Sequence, residues 1–156
     1  MRKFLLALGA ITLLIIGAGA VGIGWLAYNG NALDTESKAF IDAAVPAITT
    51  NWSEQQLIDR ASPELLQTTQ SNDLHVLFHS LSRLGSLTEY NGSMGESVMS
   101  YIVGNGQTVH ADYLAKAKYR NGEATFRISI VKKNGAWLIL GFHADPVLSQ
   151  PTEQRI

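Results

Sequence analysis

Three Asn-Gly steps, Asn105-Gly106, Asn121-Gly122 and Asn134-Gly135, punctuate the last third of this chain. Asn-Gly between β-rich runs is the strongest short-range hairpin signal, because a type I′ turn needs positive φ at both central residues. Three such turns predict four antiparallel strands, at about 97–104, 107–120, 123–133 and 136–144, with a shorter strand near 87–91 ahead of them. A meander of this kind must cover one of its faces, and the residues before it supply the cover.

Those residues read as helices. Ile41, Ala44, Val45, Ile48 and Trp52 recur at helical spacing from a start near Asp34, with Pro46 expected to kink the helix. Ser53-Glu54-Gln55-Gln56 reads as a capping box for a short second helix carrying Leu57 and Ile58. Ser62-Pro63 restarts the chain with a serine cap and a proline at the first helical position. A further helix starts near Asn72, shows a stripe of Leu74, Leu77, Phe78, Leu81 and Leu84, and stops at Gly85. Helices first and strands afterwards make an α+β fold, with helices on one sheet face.

The N-terminus has a different character. Arg2 and Lys3 precede a run from Phe4 to Tyr28 without a charged residue. Such a run exceeds the roughly 20 apolar residues that span a bilayer. The expectation is a single transmembrane anchor over 1–28, followed by a linker over 29–33, a domain over 34–145 and a disordered tail over 146–156. The positive flank places the N-terminus in the cytoplasm and the domain outside a bacterial inner membrane. A signal peptide cleaved after Ala20 is the competing reading, since Ala18-Gly19-Ala20 is an A-x-A site. The pairs Ala18/Gly22 and Ala20/Gly24 leave homo-oligomerisation open.

Composition narrows the function classes. There are 12 Lys/Arg and 13 Asp/Glu. Setting Arg2 and Lys3 aside leaves the domain weakly acidic, which argues against a nucleic-acid binder. The absence of cysteine excludes disulfides, thiolate metal sites and Cys nucleophiles. His75 and His79 have the four-residue spacing of helical zinc ligands, but Val76 stands where a metalloprotease needs Glu. No metal or other cofactor is expected.

Type I′ turns at 121–122 and 134–135 would set a register. Ala117 then faces Phe126, Ala115 faces Ile128, Tyr113 faces Ile130, and Phe126 faces His143 across the last hairpin. These residues share a concave, helix-covered face, where Ala115, Ala117 and Gly141 either admit a helix or leave a small apolar pocket. The other face carries Lys116, Lys118 and Arg127, with Lys116 opposite Arg127. Arg120, Lys132 and Lys133 add to this basic stretch, which is either a solvated face or a dock for anionic lipid or an acidic partner.

Helices followed by a meander that ends in Gly135-Ala136-Trp137-Leu138-Ile139-Leu140-Gly141-Phe142 resemble the NTF2-like (cystatin-like) superfamily over about residues 34–145. The resemblance implies a bent sheet wrapped around a long helix, forming a cone with a pocket. Members with one N-terminal membrane helix are similar in layout. Others are isomerases and dehydratases, or assembly subunits of secretion machines, so fold alone assigns no activity.

The reading is therefore a non-enzymatic, membrane-tethered interaction or small-ligand module. Its pocket is expected at Tyr113, Phe126, Trp137 and His143, with Trp137 brought there by a bulge or strong twist of the last strand. Membrane lipid, a protein partner or a small apolar ligand are its expected partners. The alternatives are a small pocket enzyme with His143 as base and Tyr113 as donor, or an envelope assembly subunit.

Overall fold

The computed structural model describes residues 32–102 and 106–149. The chain divides into two compact units, Met1–Thr35 and Glu36–Ile156, and the sheet with its helices belongs to the second. Helix α1 covers 32–49 in its described part. Then come α2 (Glu54–Ile58), α3 (Pro63–Thr68), α4 (Ser71–Leu81) and a 3-10 turn at Ser82–Leu84. The strands are β1 (Leu87–Ile102), β2 (Gly106–Tyr119), β3 (Gly122–Lys133) and β4 (Ala136–Leu148), antiparallel in the order β1-β2-β3-β4. The α+β expectation of helices followed by a meander matches this order.

The membrane half of the expected architecture is corrected. Among the described residues no helix is long and apolar enough to cross a membrane. The stretch 1–28, on which the anchor fell, lies outside the described residues. The boundaries also move: residues 32 and 33 of the expected linker are helical, and the expected tail contributes Pro146, Val147 and Leu148 to β4. Proline lacks a ladder donor and is tolerated there because β4 is an edge strand.

Local chemistry explains the helix boundaries. α1 runs through Pro46, and its end is turned by Trp52 at φ 50, with the Ser53 amide donating to the Ile48 carbonyl at 2.9 Å. That pairing across a left-handed residue is a Schellman closure on a non-glycine. The Trp52 ring compensates by donating Nε1–H to Gly85 O at 2.8 Å and packing on Tyr119 at 4.9 Å between centroids. Ser53 and Ser62 cap α2 and α3 through their hydroxyls, and Pro63 opens α3.

Among the described residues, Asn134-Gly135 has the geometry the sequence implies, with φ 51 and 82. At the second step the turn lies one residue earlier: Tyr119 pairs with Gly122, and Arg120 and Asn121 form the loop. Asn121 is recruited elsewhere, its amide donating to Leu84 O at 2.8 Å and its side chain to Arg83 O at 2.9 Å. The register is accordingly Ala117 with Ala124, Ala115 with Phe126 and Tyr113 with Ile128. This shift by two residues preserves which face each side chain occupies. Residues 103–105, at the first step, lie outside the described residues. A fourth step, Asn91-Gly92, is a bulge: the register shifts between Tyr90 and Ser93, Gly92 has φ 83, and the two expected strands become one.

The core lies between α1 and the inner sheet face. Ile41, Ala44, Val45 and Ile48 are buried on one side, and Tyr113, Ala115, Ala117, Phe126, Ile128 and Ile130 on the other. Phe78, Leu81 and Leu84 close it at the α4 end. The loop between α2 and α3 covers the outer edge of β4, where Ser62 N donates to Ile139 O and Ile139 N to Arg60 O, both at 2.7 Å.

Candidate functional site

Two hydroxyls and an ammonium converge on Asp42, which α1 holds against β1. Its Oδ1 accepts from Tyr90 Oη at 2.8 Å and Ser93 Oγ at 2.6 Å, and its Oδ2 accepts from Lys38 Nζ at 2.6 Å. Burial works to raise the Asp42 carboxyl, but the hydrogen bonds from Lys38, Ser93 and Tyr90 outweigh it and hold the group below the ordinary carboxylate range. Burial, then the Asp42 carboxylate, push the Tyr90 phenol well above its usual value. An ionised carboxylate surrounded by donors is a clamp between helix and sheet. It lacks the near-neutral pKa that suits a general base.

A pH dependence follows. A depressed folded-state pKa contributes stability that is present above the unfolded value of about 3.9 and is lost as pH falls through the folded value. Asp42→Asn is expected to cost about 1–2 kcal/mol at neutral pH and to flatten the acid limb of the stability profile. Thermal melts of both proteins at neutral pH and below pH of about 4 check this. Parallel acid limbs would show that Asp42 is not a linked group.

Of the four residues expected to line a pocket under the sheet, Tyr113, Phe126 and Trp137 face inward and His143 does not. Tyr113 is buried on the inner face and its hydroxyl meets Ser37 Oγ on α1 at 2.8 Å. Phe126 is fully buried beside it on β3. Trp137 is also inward, opposite Lys132, whose ammonium lies 5.6 Å from the indole centroid and also bonds Glu36. Trp137 shares its side with Ile139 and needs no bulge to reach it. The bulge lies further along. Ser129 pairs with Gly141 but Ile130 with Ile139, leaving Leu140 as the extra residue. One extra residue exchanges the faces beyond it. Phe142 therefore turns inward, its ring 5.6 Å from Phe126, while His143 stands outside opposite Arg127. His143 Nε2 is 3.0 Å from Asp145, which also accepts from Arg127 at 3.0 Å. The small residues Ala115 and Ala117 are buried on the inner face that α1 covers, so they admit the helix.

The basic outer stretch is largely neutralised. Lys118 pairs with Glu89 at 3.0 Å and Arg127 with Asp145, while Lys132 and Lys133 bond Glu36 and Glu64. The register also removes the expected like-charge pair: Lys116 stands opposite Thr125, and Arg127 opposite Leu114. His75 meets Glu54 of α2 at 2.9 Å. Among the described residues no group of three His, Cys, Asp or Glu side chains could hold a metal ion.

The apolar cavity lies elsewhere, at the corner where the three short helices meet β4. It has a volume of about 200 Å³ and is lined chiefly by Leu57, Ala61, Leu65, Leu74, Leu77 and Phe142. Thr69, Ser71 and Asp73, around the start of α4, add a polar side. Leu57, Leu74 and Leu77 were visible in the sequence as apolar helix positions, and Leu65 was not singled out. Their convergence depends on the short α2–α3 connection and on the β4 bulge that turns Phe142 inward.

No family model, curated protein or solved structure matches this chain. The resemblance to the NTF2-like superfamily accordingly rests on its sequence pattern.

Proposed function

We propose that the chain is a non-enzymatic binding module of NTF2-like layout that takes a small, neutral, apolar ligand in the corner cavity between α2, α3, α4 and Phe142. The observation that carries this is the cavity itself, about 200 Å³ with a mainly apolar lining and a few polar groups. An apolar cavity of about 150 Å³ suffices for benzene, so this one suits a single ring with a short substituent. Asp73 among the lining residues disfavours a ligand carboxylate. Binding is favoured over catalysis because the base and donor of the enzyme alternative, His143 and Tyr113, occupy opposite sheet faces. The Asp42 carboxyl, held low by its donors, offers no substitute.

The test titrates the full chain with toluene and follows its thermal unfolding. Ligand at a hundredfold excess over Kd should add about 2.7 kcal/mol of stability. Ala61→Leu, which extends a lining side chain into the space, should abolish that gain, whereas His143→Ala should leave it intact. Failure of toluene to stabilise the wild type, or a gain that survives Ala61→Leu, would sink this reading.

A further inference from the structure

We propose that the outer face of the sheet is an interface for a second copy of this chain. Met94, Val98 and Leu114 are 77%, 57% and 45% exposed, and all three stand on that face. Met94 pairs with Leu114, and Val98 lies four residue pairs further along β1, beyond the pair Glu96–Asp112. They surround a shallow depression of about 820 Å³ that Glu96, Asp112 and Arg127 also line. Exposed apolar side chains ringed by charges mark an interaction surface.

Charge placement selects the occupant. One row across the face reads Met94, Leu114, Arg127, and the next reads Glu96, Asp112, Ser129. In these two rows the acids lie toward β1 and the cation lies on β3, where Asp145 of β4 also pairs with it. Such a face is complementary to itself. A two-fold axis running along β2, between two stacked sheets, lays β1 of each copy over β3 of the other. Leu114 then meets its own counterpart at the axis, and the stem of Arg127 covers Met94 of the second copy. Its guanidinium keeps Asp145 of its own chain on Nη2 and points its remaining N–H donors toward Glu96 of that copy, one row along. The contact occurs twice by symmetry, as an isologous interface requires. Packed sheets lie about 10 Å apart, within reach of two facing long side chains. Glu96 forms no ion pair within its own chain among the described residues, so it is available for this one. The same two acids argue against an anionic lipid surface as the occupant.

The test measures the oligomeric state of the full chain by sedimentation equilibrium across a concentration series. A dimer is expected. Arg127→Glu and Glu96→Arg should each weaken it by about tenfold or more, since each places like charges together. The double reversal should restore it by re-forming the pair with exchanged signs. Recovery in the double variant also shows that the single variants did not merely unfold. A monomer at every concentration overturns the proposal. So does a dimer indifferent to both reversals, or one that the double variant fails to restore. Binding of the monomer to vesicles of anionic phospholipid, without self-association, would assign the face to a membrane and also overturn it.

Discussion

Phe126→Ala is expected to cost about 3–5 kcal/mol, whereas His143→Ala should stay within about 0.5 kcal/mol. Phe126 is fully buried at the centre of β3, and its ring packs 5.6 Å from that of Phe142. Truncation removes the transfer free energy of a phenyl ring and leaves a void that α1, the sheet and Phe142 cannot all collapse to fill. Phe142 already borders the corner cavity, so the void would extend existing empty space. His143 has its side chain 61% exposed on the other face and engages only an exposed carboxylate, an interaction of little net worth. Urea unfolding measures both, with an unchanged slope marking a true stability difference. Equal losses at the two positions would contradict the β4 bulge, because without it His143 would share the face of Phe126.

The same bulge marks how far the residues could be read unaided. Helical spacing, two serine caps and β-rich runs between turn residues are local signals, and each produced an element close to its expected place. The faces of β2 and β3 were legible too, although the turn falls at Arg120-Asn121, because a shift of two residues leaves side-chain direction unchanged. The extra residue Leu140 has a weaker signal. Gly141 only hints at a bulge without fixing Leu140 as the extra residue, yet that residue decides that Phe142 and not His143 enters the core. Asn91-Gly92 shows the converse: a turn dipeptide becomes a bulge because β1 continues to pair with β2 on both sides of it. The corner cavity was beyond local reading for a related reason. Its leucines come from three short helices whose mutual placement depends on long-range contacts such as Ser62 N to Ile139 O.

Ala115→Leu is expected to destabilise the fold by about 1–3 kcal/mol. Ala115 is fully buried, and two hydrogen bonds bracket it. Tyr113, two residues before it on β2, reaches Ser37, while Ser93, its partner on β1, reaches Asp42. Ser37 and Asp42 are about one and a half helical turns apart, so α1 passes directly over the Ala115 methyl group. Extra carbons at this point must push the helix away from the sheet or leave their own rotamer wells. Lifting α1 would stretch both hydrogen bonds together. A pocket beneath the sheet would behave oppositely: leucine would fill it, and stability would hold or rise. Urea unfolding of the variant separates the two cases. Amide exchange adds a positional readout, because lifting the helix should accelerate exchange along α1 while β3 remains protected. Stability at or above wild type would mean that the concave face has room beneath α1, and the search for a ligand site would return to Tyr113 and Trp137.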